Sequence, residues 1–292
     1  MSARAPAELP RYSLGEEIAN AVTHGVGALL AIAGLAVLCA FAAVYGETRH
    51  LLACIVFGVA MIACFTTSTL YHAIPIESAR RVLRALDHSA IFLLIAGTFT
   101  PILLIKVAGW AGWTMLAFIW LVAIAGIVAR LLLKGRHHNL FVAGYLAMGG
   151  SAFFVIKPLI ESLPAAGLAL LLGGGATYAV GVIFYKWRRL PYSHAVWHGF
   201  VLAGCALHFF TVLLYVIPDA VSACTRLFCP EKCLTPPSAQ PPPSSARSSP
   251  PANSPPTSPR CPARWCLPTA VSTSCTAATS PCSRRHGRKA RR

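Results

Sequence analysis

The sequence has few charged residues. Only 12% of its 292 residues are Asp, Glu, Lys or Arg, whereas 56% are hydrophobic. A soluble domain usually carries about 25% charged residues. One soluble core cannot bury that much apolar surface, so the composition excludes an ordinary soluble domain and indicates a protein whose solvent is lipid.

The start of the chain also lacks the pattern of a cleaved signal peptide. Its first twenty residues are largely polar and include Pro6 and Pro10. A signal peptide would place a basic region and a short apolar stretch there. The first apolar run begins near Ile18 and is long enough to span a membrane, so we expect it to be retained as a helix.

A nucleic-acid partner is not expected, although the net charge is +16. Eleven of the 25 Lys and Arg residues follow residue 220. The others fall mostly in short clusters between apolar runs, which is how membrane proteins encode their topology.

Seven apolar runs each approach the roughly 20 residues that a membrane helix needs. The sequence therefore predicts an all-α, polytopic membrane protein, a bundle of seven transmembrane helices. The runs lie near 18–45, 51–74, 87–108, 110–133, 139–160, 165–186 and 194–217.

The charged loops predict the orientation of this bundle. Loops after the even-numbered spans hold nine Lys and Arg residues and the opposite loops hold three, which places the N-terminus in the cytoplasm. The nine are Arg80, Arg81, Arg84, Arg130, Lys134, Arg136, Lys186, Arg188 and Arg189, and the three are Arg49, Lys106 and Lys157.

The composition divides the chain into a cytoplasmic segment (1–17), the membrane domain (18–218) and a tail (219–292). The tail is rich in Pro, Ser, Thr, Cys and Arg, so we expect it to be disordered. It is either a genuine flexible tail or the product of a reading-frame change. Its seven cysteines are irregularly spaced and have no paired histidines, which does not favour a zinc module.

Two histidines on the last span have the spacing of metal ligands. His194 and His198 are four residues apart, so both imidazoles lie on one face of a helix. Two such histidines can bind one zinc ion. The pair alone is a weak signal, because two histidines facing lipid headgroups would show the same spacing.

Other polar residues converge on this pair. Ser68 and His72 lie at the end of span two, and Asp87 opens span three. The loop charges place these helix ends and His194 on the cytoplasmic side. Three histidines, one carboxylate and one hydroxyl can therefore share one depth, which favours a metal site, since ionisable groups in membranes usually have a function.

Two further histidines have other roles. His24 begins span one beside Asn20, and we expect these two residues to support the ligands or His24 to cap the helix. His208 lies about 15 Å deeper than His198 at 1.5 Å per residue, too far to share an ion.

Four stretches carry a family resemblance. They are EEIANAVTHGVGALL from Glu16, STLYH ending at His72, LDHSAIFLLIAGTFTP ending at Pro101 and HAVWHGFVLAGCALHFF from His194. The chain resembles the hemolysin III proteins of bacteria, relatives of the progestin and adipoQ receptors, over residues 13–218. Phe99 stands where the family often has Tyr, and the tail has no counterpart.

The resemblance implies seven helices with the N-terminus inside and a zinc ion held by His72, His194 and His198. It also implies that Asp87 and Ser68 lie near the metal-bound water. The wider superfamily includes alkaline ceramidases and is thought to comprise metal-dependent membrane hydrolases.

The residues support this chemistry by themselves. Zinc with three protein ligands keeps a position for water and lowers the pKa of that water to about 7. Asp87 could act as general base, and Ser68 could donate a hydrogen bond to the oxyanion. Ser68 is not favoured as a nucleophile, because no GxSxG motif is present. We therefore expect hydrolysis of a lipid amide or ester.

Three alternatives stay open. The chain could be a receptor with a structural zinc, a pore-forming cytolysin, or a transporter, which no inverted repeat or broken helix supports. Under each, we expect a multi-pass protein of the cell membrane in contact with lipid. The oligomeric state is not predicted.

Overall fold

A computed structural model describes residues 12–107, 109–133, 137–187 and 189–218 of the chain. These residues form helices and connections, with no β-strand among them. The α-helices are α1 (Leu14–Tyr45), α2 (Thr48–Ala73), α3 (Glu77–Lys106), α4 (Gly109–Leu132), α5 (His138–Gly150), α6 (Ile156–Ser162), α7 (Ala165–Lys186) and α8 (Ser193–Thr211).

These helices supply seven membrane spans, which confirms the predicted fold class. Five of the spans are single helices, α1 to α4 and α7. The fifth span runs through α5, a 3-10 segment (Ser151–Val155) and α6. The seventh consists of α8 and a π-helical turn (Val212–Val216).

The bundle is built mainly from helices that are neighbours along the chain. α1 packs on α2, α2 on α3, α3 on α4 and α7 on α8. α8 also packs against α1, and its π-helical turn contacts α3. The beginnings of α1 and α8 therefore lie beside the end of α2, which is where the predicted site residues are found.

Apolar side chains cover much of the outside of these helices. Phe154, Trp110 and Leu29 are 86%, 80% and 70% exposed. Such exposure would be unfavourable in water but suits a surface that faces lipid tails.

Small residues allow close contacts between the helices, as is usual in membrane bundles. A Cβ atom added at Gly97 of α3 would lie 2.5 Å from the Cβ of Ala60 on α2. One added at Gly27 of α1 would lie 2.8 Å from the ring of Phe65. Larger side chains at these positions would push the helices apart.

Two helices begin earlier than predicted. α1 begins at Leu14, because Ser13 and Glu16 form a capping box that satisfies the first backbone N–H groups. α3 begins at Glu77, so the prediction that Asp87 opens span three is wrong. The segment before Asp87 is charged, and charged side chains such as Glu and Arg form helices well although they are not apolar.

The fifth span is interrupted, which the sequence analysis did not predict. Gly149 and Gly150 end α5, and the 3-10 segment follows before the helix resumes at Ile156. Glycine is a poor helix former, and short 3-10 segments are common where a helix changes direction or ends. The predicted tail at 219–292 lies outside the described residues.

Candidate metal site

Three histidines from two helices meet inside the bundle. His72 lies in the last turn of α2, and His194 and His198 lie in the first turns of α8. One ring nitrogen from each histidine can be chosen so that all three lie within 4.8 Å of one another. His72 and His198 are buried, and His194 is partly buried.

Hydrogen bonds fix the orientation of two of these rings. The Nδ1 atom of His72 lies 2.6 Å from the Oε2 atom of Glu17. The Nδ1 atom of His198 lies 3.2 Å from the backbone oxygen of Asn20. Since a carbonyl oxygen only accepts, His198 donates through Nδ1, and its Nε2 atom is left with a lone pair.

The remaining nitrogens have the character of metal ligands. The Nε2 atoms of His72 and His194 are buried and have no hydrogen-bond partner among the described residues. A buried polar atom without a partner is costly. Zinc bound by imidazoles at 2.0–2.1 Å would bring their nitrogens to about 3.3 Å from one another. Small side-chain rotations would reach that spacing, so the three histidines fit a zinc ion.

The structure also brings Ser68 and Asp87 to this cluster. The Ser68 side chain is completely buried, and its Oγ atom has no hydrogen-bond partner of ordinary geometry among the described residues. The Asp87 carboxylate neighbours both Ser68 and His72. Asp87 does not begin its helix, but it is an electrostatic neighbour of His72, and its role at the site stays a prediction.

Asn20 and His24 contact the three-histidine cluster from α1. The Asn20 side-chain amide nitrogen lies 3.5 Å from the Nδ1 atom of His72. The His24 ring stacks on His198 with centroids 3.6 Å apart. His24 does not cap α1, since Ser13 does. Of its two expected roles, only contact with the ligands agrees with this position.

Glu17 is a site residue that sequence reasoning missed. Its Oε2 atom faces His72, and its Oε1 atom accepts a hydrogen bond from the Arg80 guanidinium. A carboxylate behind a metal-binding histidine fixes the ring and makes it a stronger ligand. The signal was available, because Glu17 lies on the same helical face as Asn20 and His24, three and seven residues before them.

Aromatic rings surround the histidines. Tyr12 stacks on His194 with centroids 5.2 Å apart, Tyr71 lies 4.6 Å from His72, and Tyr185 lies 5.7 Å from His194. Burial raises the pKa of the Tyr12 phenol. These tyrosines, which the sequence analysis did not identify, pack against the cluster.

His208 lies apart from the cluster, as predicted. Its Nε2 atom lies 3.1 Å from the backbone oxygen of Leu171 on α7 and donates a hydrogen bond to it. His208 therefore joins α7 to α8.

Seven membrane-spanning helices with a buried three-histidine cluster define a polytopic membrane protein with a candidate metal site inside its bundle. The chain belongs to the haemolysin-III-related family, whose model matches residues 12–209. The match covers the candidate site and ends shortly before the last described residue.

Individual relatives agree with this assignment. The chain is 47% identical to Hemolysin-3 of Bacillus cereus over 205 residues, which cover 70% of this chain and 94% of the relative. It is 45% identical to the Hemolysin-3 homolog of Bacillus subtilis, over 70% and 97% of the two chains. A more distant relative is the human monocyte to macrophage differentiation factor, at 29% identity over 74% and 91%.

The predicted localisation is confirmed by these relatives together with the seven spans. The chain is a multi-pass protein of the cell membrane, and its partners include the lipids of the bilayer.

Proposed function

We propose that this protein is a zinc-dependent hydrolase of a lipid amide or ester. The observation that carries the proposal is the convergence of His72, His194 and His198, whose ring nitrogens lie within 4.8 Å of one another beside Asp87 and Ser68. The three histidines would hold the metal. When bound, zinc would polarise a substrate carbonyl and make water more acidic.

Each polar side chain then has a task in hydrolysis. The Asp87 carboxylate accepts a proton from the attacking water, whose oxygen forms a bond to the acyl carbon. The Ser68 hydroxyl donates a hydrogen bond to the carbonyl oxygen as it becomes negative. The bond from the acyl carbon to nitrogen or oxygen breaks, and Asp87 passes its proton to the leaving amine or alcohol.

The position of the site suits an acyl-chain substrate. The helices expose apolar side chains to lipid, and tyrosine rings pack against the histidines. A substrate that enters laterally from the bilayer reaches such a site without crossing water.

The test is release of free fatty acid by the purified full chain in vesicles that contain an N-acyl sphingosine or a diacyl phospholipid. We expect release by the wild type and by the exposed control His137→Asn. We expect none from His194→Ala or Asp87→Asn. Full release by His194→Ala would end the proposal.

A structural role for zinc is the second candidate. The three histidines come from α2 and α8, which are far apart in the chain, so an ion would cross-link two spans. This role fits a receptor or signalling protein. It predicts that a chelator lowers the melting temperature although no lipid is hydrolysed.

Lysis is the third candidate and rests only on the name Hemolysin-3 that two relatives carry. Release of an entrapped dye from liposomes by the purified protein would support it.

A further inference from the structure

Arg130 is a buried cation near the end of α4. Its side chain is 1% exposed, whereas arginines near the end of a membrane helix usually extend to the headgroups. Its Nε and Nη1 atoms are buried and have no hydrogen-bond partner among the described residues. An arginine is always charged, and within the described residues this buried charge has no ion-pair partner.

None of the described residues forms a direct ion pair with Arg130. The guanidinium carbon lies 5.0 Å from the centre of the Phe141 ring, which supports one side of the guanidinium group. Within the described part of the chain, no carboxylate lies within 4.0 Å of it. Asp87 is an electrostatic neighbour, but Arg84 is another and adds a second positive charge.

The nearby phenol groups cannot replace a counter-ion. Tyr145 and Tyr185 are electrostatic neighbours of Arg130, but a phenol is neutral at physiological pH. The Tyr145 hydroxyl also donates a hydrogen bond to the backbone oxygen of His88, at 2.8 Å. Removing one partner of a buried ion pair is strongly destabilising, and an arginine without a partner has the same cost.

We propose that Arg130 anchors a binding site for an oxyanion, a carboxylate or phosphate group, next to the three-histidine cluster. The guanidinium binds such groups through charge-assisted hydrogen bonds, and its Nε and Nη1 atoms have no partner among the described residues. Asp87 is an electrostatic neighbour of both Arg130 and His72. Tyr185, another neighbour of Arg130, has its ring 5.7 Å from that of His194, and on these grounds we place the oxyanion near the histidines.

This site deepens the proposed function, because it implies that the substrate or the product of the hydrolase carries a negative charge. That implication rests on the proposed hydrolase activity, whereas oxyanion binding itself can be measured without turnover. The oxyanion has three possible sources: a fatty-acid carboxylate, a lipid phosphate, or free phosphate.

The test uses the full chain in nanodiscs of neutral phosphatidylcholine. Oleate, phosphatidic acid and inorganic phosphate are titrated separately, and the rise in melting temperature gives the affinity of each. We expect at least one of them to bind the wild type and to bind Arg130→Gln roughly 10- to 100-fold more weakly. Arg81→Gln, an exposed arginine with the same change in charge, serves as the matched control and binds like the wild type.

A second variant keeps the test decisive if Arg130→Gln does not fold. Arg130→Met replaces the unpaired charge with an apolar side chain, so without an added oxyanion we expect its melting temperature to equal or exceed that of the wild type. The compound that raises the melting temperature of the wild type should not raise that of Arg130→Met, and this compound identifies the source of the oxyanion. Equal binding by the wild type and both Arg130 variants, or no binding of any of the three compounds, overturns the proposal.

The two proposals fail separately. If the wild type releases no fatty acid but binds an oxyanion through Arg130, only the hydrolase proposal is rejected. If fatty-acid release depends on His194 but the Arg130 variants bind oxyanions like the wild type, only the oxyanion site is rejected.

Discussion

At the scale of single residues, the candidate site depends on contacts that lie behind the histidines. Glu17 orients His72, and the backbone oxygen of Asn20 orients His198. Arg80 in turn holds Glu17. A metal ligand held in one tautomer and orientation binds its ion more tightly, so these residues should control metal affinity without touching the metal.

Glu17→Gln tests this role. The amide is nearly the same size but carries no charge, so the His72 ring is held less firmly and is a weaker ligand. We expect zinc affinity to fall roughly 10- to 100-fold, measured by competition with a chromophoric chelator. Glu77→Gln, at an exposed position on α3, should leave the affinity unchanged. An unaltered affinity in Glu17→Gln would show that this hydrogen bond does not support the ligand.

The three clustered histidines were easier to predict than the residues that contact them. The spacing of His194 and His198 and the shared depth of His72 follow from helix geometry and loop charges. Glu17 contacts a residue 55 positions away on another helix. Only the lateral packing of α1 on α2 brings the two together, and one sequence does not encode that packing in any simple pattern.

At the scale of helices, close contacts between backbones hold α2 and α3 together. Gly97 faces Ala60 where a Cβ atom would be separated from its neighbour by only 2.5 Å. No flexible side chain can move aside, because both residues are small and their helices are buried there.

Gly97→Ala should therefore lower stability. We expect a loss of about 1–3 kcal/mol, the usual cost of an overpacked core, seen as a lower melting temperature in detergent. Gly144→Ala on α5 is the matched control, because a Cβ atom there meets nothing within 4 Å. It should stabilise the helix by about 0.5–1 kcal/mol. Equal effects of the two substitutions would contradict the packing described for α2 and α3.

Helix boundaries show where sequence reasoning is weak. Apolar runs identified all seven spans, because lipid requires about 20 apolar residues of each. They missed the charged first turns of α3, which carry Arg80, and the 3-10 interruption of the fifth span. Hydropathy does not register a helix that begins outside the lipid, nor a local change in backbone geometry.

At the scale of the whole molecule, the ends of α1, α2 and α8 that carry the site must lie on one side of the membrane. The loop charges predict that this side is the cytoplasm.

Reporter fusions test that orientation. A fluorescent reporter that matures only in the cytoplasm is fused after Leu133, which follows span four, or after Leu163, which follows span five. We expect fluorescence from the first fusion and none from the second. The reverse result would place the N-terminus and the histidine cluster on the outer side.

The central claim is that His72, His194 and His198 hold a zinc ion, and metal content measures it most directly. Purified full-length protein is analysed by inductively coupled plasma mass spectrometry beside His72→Ala and His198→Ala. The account predicts about one zinc per wild-type chain and little zinc in either variant, because two histidines seldom form a closed site. Equal zinc content in all three proteins would contradict it.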